Sequence, residues 1–300
     1  MKILSYIFMV MLCLCTQMSR QGINRKYDIG DIGLTFLEFH NDGTGKYSTV
    51  SEYINEDGSP SSYASDFTYI FRQQDGLSYI DITSSPLPYY SGLYDSIQLL
   101  SSTEIRDGET RNLAIGYAVS IKSGKTELFI HDWTRAFDGA GRTYYDCSSF
   151  LVERTKSYPV KNLCSIEDAS PWVEAAPGPG IDEGFTIEHS KGKMPYLLIM
   201  NGYISCTKPY LYKQNARVKQ VKVTGTESGR TKLLDVLDTP NPQTVDISFL
   251  DKEDDVRVTI ADVYPGTKYE DTCLSFCVTY PYQVLPDREP SFCYCRENGL

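Results

Sequence analysis

Five side chains between positions 172 and 210 combine aromatic rings with groups that form hydrogen bonds. They are Trp172, Glu174, Asn201, Tyr203 and Tyr210. An aromatic ring can cover the apolar C–H face of a sugar ring with little loss of conformational entropy. A carboxylate beside it can bind sugar hydroxyl groups in pairs, or bind a cation. We therefore predict these five residues as candidate ligand-binding residues.

Each of these residues also has a structural interpretation, which the sequence leaves open. Trp172 can anchor its loop in the core, and Glu174 can accept hydrogen bonds from nearby backbone N–H groups. Asn201 precedes a glycine, a pair typical of tight turns. Tyr210, like Tyr212 two positions later, suits an exposed loop or the core equally well. Asp271 can brace backbone groups near Cys273 or contact a ligand.

The residues needed for catalysis do not stand together in the sequence. The stretch from 158 to 212 contains no nucleophile–base pair, phosphate loop or metal motif. His40 can pair with Asp31 or Glu38, but no nucleophile is evident beside it. His131 and His189 have no ligand-type neighbour at a suitable spacing. The sequence therefore predicts no enzyme, no catalytic residues and no cofactor. A secreted glycan hydrolase, which needs two carboxylates across a cleft, is the alternative.

Cysteine and acidic clusters near the C-terminus allow several interpretations. Cys273-x3-Cys277 and Cys293-x-Cys295 can form a zinc site, a disulfide staple or a mixture that includes free thiols. Their spacing differs from the Cys-x2-Cys knuckle of zinc modules, so we predict no metal. The acidic run at 251–255 is typical of a solvated turn, with a weak calcium loop as the alternative.

The net charge restricts the type of partner, and the N-terminal residues indicate the compartment of the protein. The net charge of −10 argues against nucleic acid, which needs a basic surface. Lys2 precedes the apolar run Ile3–Cys15, which has the length of a secretory signal, so residues 1–19 are predicted as a signal peptide. Lipidation of Cys15 or Cys13 and plain secretion are both open. We expect an exported protein of the periplasm, outer membrane or cell surface; the sequence does not indicate its oligomeric state.

The sequence of the first half predicts short strands joined by turns. Alternating apolar residues from Leu34 onward are interrupted by Asp-Gly pairs, the strongest short-range signal of a hairpin. About eight strands up to Val152 match a small antiparallel barrel, predicted over residues 30–155. The pattern resembles the small lipocalin-like barrels of bacterial envelope proteins. The interior can be packed or can hold a small ligand.

The second half continues in β-structure. Tyr196–Met200 is an apolar run typical of a buried strand, and Arg217–Val223 alternates valines with cationic side chains. Turns at intervals of about 12–20 residues indicate a jelly-roll sandwich, so the fold class is all-β throughout. Residues 281–300 contain proline and cysteine, and an irregular tail is predicted there.

Residues 158–277 resemble the NADase-type glycan-binding domain. The matching segments follow the order of that family: Tyr158, Asn162-Leu163, Trp172-Val173-Glu174, Gly180-Ile181, Asn201-Gly202-Tyr203, Tyr210, the segment 215–219, Val263-Tyr264 and the segment 266–273. The resemblance implies a discoidin-like jelly roll over 158–280 that binds carbohydrate. Nothing in the chain matches the NAD-cleaving domain. We therefore expect an exported envelope protein that binds glycans, with a non-catalytic structural or protein-binding role as the alternative.

Overall fold

A computed structural model describes residues 25–28, 35–54, 60–84, 87–89, 92–120, 126–131, 145–166, 170–188, 194–251 and 254–287. Twenty strands run through these residues, together with a 3-10 helix at Val160–Cys164 and a one-turn α-helix, α1, at Leu211–Gln214. The predicted all-β class is confirmed. In the part of the chain that the structure describes, no helix has the length and apolar character that a membrane span requires.

The described residues fall into two compact units. The first unit includes those up to Arg72 and Ile80–Asp95, and the second includes Gln73–Tyr79 and the residues from Ser96 onward. The strands at 96–131, which the sequence analysis assigned to the N-terminal barrel, are therefore in one unit with the second half. The domain limits 30–155 and 158–280 stay predictions. The predicted signal peptide at 1–19, with Cys13 and Cys15, lies outside the described residues.

The first unit is built from antiparallel strands. Its members are β1 (Arg25–Asp28), β2 (Thr35–Phe39), β3 (Thr44–Ile54), β4 (Pro60–Gln74), the second half of β5 (Leu77–Ile82), β6 (Leu87–Tyr89) and β7 (Gly92–Tyr94). Strands β1 to β4 pair in sequence order. The predicted turn at Asp42-Gly43 joins β2 to β3. Phe39, Phe67 and Tyr69 pack edge to face below this hairpin. Closure into a barrel stays a prediction.

The second unit contains the sheet of the jelly roll. Its strands are β11 (Tyr145–Cys147), β12 (Trp172–Val173), β13 (Gly184–Ile187), β14 (Tyr196–Asn201), β15 (Ala216–Gly225), β16 (Thr231–Asp235), β17 (Gln243–Asp246), β18 (Val256–Tyr264) and β19 (Thr272–Tyr280). Their order is β11-β13-β18-β15-β19-β14-β17, with β12 on β19 and β16 on β15. Neighbours are antiparallel except β15 and β19, which run parallel. Apolar side chains of these strands form the inner core, which includes Trp172, Phe185 and Leu197.

A second layer of strands in the same unit covers the outside of this sheet. It consists of β8 (Ser96–Arg106), β9 (Glu109–Val119), β10 (Thr126–His131) and β20 (Gln283–Pro286), joined by antiparallel pairing. Leu100, Ile115 and Tyr117 of this layer pack against side chains of β14 and β19, such as Met200 and Phe276. We call this contact the outer core. Tyr117 also donates a hydrogen bond of 2.6 Å to the carbonyl of Ile166.

Strand β19 consequently lies between two cores. All nine of its residues are buried. Phe276, Val278 and Tyr280 belong to the outer core, whereas Leu274 and Cys277 belong to the inner core. The sequence analysis assigned no strand here, because it interpreted the cysteine spacing as a candidate site. The irregular tail predicted for 281–300 is also wrong in part, since β20 forms within it and pairs with β8.

Phe276→Ala should therefore lower the free energy of unfolding as much as a substitution in the inner core. Removing a buried phenylalanine lowers the free energy of unfolding by about 3–5 kcal/mol, and Leu197→Ala should lower it by about 2–5 kcal/mol. Leu233, with 58% of its surface exposed, supplies the control: Leu233→Ala should change the value by no more than about 0.5 kcal/mol. Urea unfolding followed by circular dichroism measures all three. A Phe276→Ala effect no larger than the control would show that the outer face is uncovered.

Candidate functional site

Four loops of the second unit meet where strands of the jelly roll end, and we call this region the loop end. The loops are residues 148–158, 175–183, 202–215 and 265–271. The Thr272 hydroxyl donates to the carbonyl of Pro179 at 2.8 Å, and the backbone N–H of Tyr269 donates to the carbonyl of Gln214 at 2.8 Å. Four of the five predicted ligand-binding residues lie in or directly beside these loops.

Trp172 lies in the core beneath the loops. Its side chain has no exposed surface and packs edge to face against Phe185, with 5.3 Å between the ring centroids. The indole N–H donates to the carbonyl of Ser149 at 3.0 Å. The one polar group of the indole is thereby satisfied inside the protein. This geometry corresponds to the core-anchor alternative that the sequence left open.

Glu174 connects two loops through its carboxylate. Oε2 accepts the backbone N–H of Ala176 at 2.7 Å, and Oε1 accepts the backbone N–H of Thr272 at 3.0 Å. The side chain is fully buried. Burial raises the pKa of the Glu174 carboxyl, although the two N–H donors act in the opposite direction. Gly180 lies against this carboxylate with a positive φ of 65°, and a Cβ at this position would collide with it.

Asn201 joins strands rather than facing outward. Its amide donates to the carbonyl of Val218 at 2.7 Å and accepts the N–H of Val218 at 3.0 Å, and the side chain is buried. The next residue, Gly202, has a φ of 84°, a conformation that favours glycine, but it forms a bridge with Leu274 rather than the predicted tight turn. A Cβ there would lie 2.7 Å from the ring of Tyr212. The following residue, Tyr203, is partly exposed at the loop end.

Beside Gly202, the buried Arg217 forms an ion pair with Asp238, whose side chain is 30% exposed. Arg217 binds both carboxylate oxygens of Asp238, at 2.6 and 3.1 Å, and its guanidinium lies 5.2 Å from the centroid of the Tyr212 ring. Although burial opposes it, Arg217 lowers the pKa of Asp238. Tyr212 is fully buried and donates to Asp238 at 3.3 Å. Of the two options for Tyr212, the structure therefore selects the core.

The buried Tyr158 and the more exposed groups around it form a cluster at the surface that we call the Tyr158–Tyr203 cluster. Its members are Glu153, Lys156, Tyr158, Tyr203 and Asp271. The two rings are 6.0 Å apart at 72°, and Lys156 Nζ donates to the Tyr203 hydroxyl at 3.0 Å. The Tyr158 hydroxyl donates to Glu153 Oε2 at 3.1 Å. Burial raises the pKa of the Asp271 carboxyl, and the negative charge of Glu153 raises it further.

The sequence analysis identified only part of this cluster. It named Tyr203 as a site residue, weighed Asp271 and included Tyr158 among the segments that resemble the family. Glu153 and Lys156 received no role there. A short turn brings them together, since the N–H of Glu153 donates to the carbonyl of Lys156 at 2.8 Å. Three charged residues of mixed sign within the five positions before Tyr158, namely Glu153, Arg154 and Lys156, were the available signal.

Tyr210 is the most exposed of the five predicted residues. It lies in the 202–215 loop, directly before α1, and 43% of its surface is exposed. On the neighbouring 265–271 loop, Tyr269 is 37% exposed and has the Lys268 ammonium 4.7 Å from its ring centroid. The loop end therefore presents aromatic surface beyond the Tyr158–Tyr203 cluster.

Cysteine chemistry finds little support in the residues that the structure describes. Cys147, Cys164, Cys206 and Cys273 are free thiols, while Cys293 and Cys295 lie outside the described part. Burial raises the pKa of Cys206 to about 12, which disfavours the reactive thiolate. Over the described ranges, no three His, Cys, Asp or Glu side chains form a group that could hold a metal ion.

The acidic run at 251–255 is more than a solvated turn. Asp254 is buried and accepts four hydrogen bonds, from the backbone N–H groups of Asp251, Glu227 and Ser228 and from the Ser228 hydroxyl. Despite its burial, these donors lower the pKa of Asp254 to about 2. The expectation of a solvated turn is therefore wrong for Asp254, which braces two turns.

His40 has a hydroxyl neighbour that the sequence analysis missed. Its Nδ1 lies 3.0 Å from Thr44 Oγ1, and its Nε2 lies 4.0 Å from Glu38. The Thr44 hydroxyl, however, donates to Asp42 Oδ1 at 2.6 Å. Its proton is thus directed away from His40, so His40 is not placed to activate Thr44 as a nucleophile. The side chain of His131 and all of His189 lie outside the described part.

Comparison with known families supports the second half of the prediction. The family model described as NAD glycohydrolase translocation F5/8 type C domain matches residues 136–280. The discoidin-like domain expected over 158–280 is thereby supported, and the matched region begins earlier than predicted. The lipocalin-like resemblance of the N-terminal half is not confirmed. No curated protein and no solved structure matches the chain.

Glu174→Gln should destabilise the protein, by about 1–3 kcal/mol, because an amide has one acceptor oxygen for two backbone N–H groups. The effect should depend on pH. The pKa of Glu174 is raised in the folded protein, so the wild type loses stability from this group as pH rises from about 4.3 through the folded-state pKa. The deficit of the variant should therefore be larger near pH 4 than near pH 7.

Urea unfolding of both proteins at the two pH values measures this deficit. The exposed Glu188 supplies the control, and Glu188→Gln should leave the unfolding free energy within about 0.5 kcal/mol of the wild type. A Glu174→Gln deficit that grows between pH 4 and pH 7 would contradict the assigned direction of the pKa shift.

Proposed function

We propose that the chain is an exported, non-catalytic protein that binds carbohydrate at the loop end of its discoidin-like domain. The observation that carries this proposal is the Tyr158–Tyr203 cluster. The hydroxyl of the half-buried Tyr203 accepts a hydrogen bond from an ammonium group there, and the neighbouring Tyr158 hydroxyl donates to the Glu153 carboxylate. Rings that cover an apolar sugar face, with polar groups that bind its hydroxyls, are suited to carbohydrate.

The buried residues of the loop end support this function by holding its loops in place. Glu174 ties the 175–183 loop to the first residue of β19, and Asn201 ties the end of β14 to β15. Binding sites whose loops are already ordered lose less conformational entropy when a ligand binds. Trp172, Glu174 and Asn201 therefore contribute as positioning residues, whereas Tyr203 and Tyr210 remain the candidates for direct contact.

Export rests on the N-terminal residues together with the matched family. Lys2 and the apolar run Ile3–Cys15 have the composition of a secretory signal. The matched description names a translocation domain of a NAD glycohydrolase, which is consistent with an exported protein. Within this proposal, Cys15 or Cys13 is the site of a lipid anchor if the mature chain is a lipoprotein.

An envelope protein that binds another protein is the second candidate, and strand β16 favours it. Among the described strands, β16 pairs only with β15 and leaves its other edge open. Leu233 in this strand is 58% exposed, and Leu237 just beyond it is 48% exposed. An open edge with exposed leucines is suited to pairing with a strand of a partner.

A glycan array probed with the purified chain tests the main proposal. We expect binding to at least one class of glycan, and Tyr203→Ala should weaken it about tenfold, a loss of roughly 1.4 kcal/mol. Tyr63→Ala is the matched control, because Tyr63 is 51% exposed and lies in the other compact unit. It should leave binding unchanged. A folded protein that binds no glycan, or equal effects of the two variants, would contradict the proposal.

A further inference from the structure

The Tyr158–Tyr203 cluster already holds a cation. The Lys156 ammonium lies 4.8 Å from the centroid of the Tyr158 ring and 5.6 Å from that of Tyr203. It also donates to the Tyr203 hydroxyl at 3.0 Å. Both ring distances are within the range of about 6 Å at which the face of an aromatic ring attracts a cation. The geometry of the cluster is thus suited to an ammonium group.

The charged groups around the two rings also favour a cation at this position. The Glu153 carboxylate accepts the Tyr158 hydroxyl, and Asp271 is close enough to Glu153 for its charge to raise the pKa of Asp271. Two carboxyl groups that repel each other lose part of this repulsion when a cation lies between or beside them. Tyr158 itself is buried over Val173 and Cys273, so it is a fixed wall for such a cation.

The Lys156 side chain can move out of the cluster. It lies on an exposed turn closed by the pairing of Val152 with Ser157, and its own side chain is exposed. A lysine side chain regains much rotamer freedom when it is released into water, and its ammonium group is strongly hydrated there. Withdrawal of Lys156 would uncover the faces of the two rings without a change in the backbone.

We propose that the Tyr158–Tyr203 cluster binds the ammonium group of an amino sugar, and that Lys156 occupies this position until the ligand displaces it. The inference rests on the proposed carbohydrate-binding function and narrows its ligand to sugars with a free amine. The ammonium of the sugar takes the place of Lys156 Nζ over the two rings.

Calorimetric titration of the full chain with a glucosamine oligomer tests the proposal. The N-acetylglucosamine oligomer of equal length is the neutral comparison, and phosphatidylcholine vesicles present a cation on a lipid. We expect the free-amine oligomer to bind at least about fivefold more tightly than the acetylated one. Lys156→Met should raise that affinity about fivefold, because it removes the competing cation. Lys208→Met, on an exposed lysine of the same loop end, should leave it unchanged.

Two substitutions at Tyr203 separate ring chemistry from a structural role. Tyr203→Phe keeps the ring and should retain binding, whereas Tyr203→Leu should weaken it about fivefold. Equal affinity for the two oligomers, binding to vesicles alone, or a Lys156→Met variant no tighter than wild type would overturn the inference. Binding of the acetylated oligomer with the same dependence on Tyr203 would leave the carbohydrate-binding function intact. Failure of every glycan to bind would reject both.

Discussion

Burial of β19 on both faces is the constraint on which the second unit depends. A strand in a simple sandwich exposes every second side chain, but all nine residues of β19 are enclosed. One face completes the jelly-roll core and the other packs against the layer formed by β8 and β9. The matched discoidin-like region at 136–280 therefore shares its central strand with residues that precede it in the chain. A fragment limited to that region would expose Phe276 and Tyr280 to water.

Contacts with β19 also hold the loops of the loop end in place. Glu174 binds the first backbone N–H of β19, and Gly202 donates its own N–H to the carbonyl of Cys273. Buried carboxylates and amides need partners for all their polar atoms, so these contacts specify one arrangement of the loops. The rings of Tyr158 and Tyr203 then lie on a fixed base. In this account, partly exposed side chains such as Tyr203 bind the ligand, and buried polar side chains such as Glu174 hold the loops that carry them.

Much of the strand pattern was predictable, because hairpins depend on local chemistry. Asp-Gly pairs and alternating apolar residues gave the turn at 42–43 and strand β15 correctly. Strand β19 was missed because its cysteines were interpreted as a candidate site, although Leu274, Phe276, Val278 and Tyr280 alternate with smaller or polar residues. The Tyr158–Tyr203 pair joins residues of two different loops and depends on tertiary packing. Sequence could not decide the role of Trp172, because an indole suits a sugar face and a core equally.

Native-state amide hydrogen exchange tests most directly whether the β8–β9 layer and the jelly roll form one cooperative unit around β19. The account predicts that amides in the middle of β8 and β19 exchange only through global unfolding. Their opening free energies should then equal each other and the value obtained from urea unfolding. Opening of β8 at a free energy several kcal/mol below that of β19 would contradict it, because the outer layer would then detach while the jelly roll stays folded.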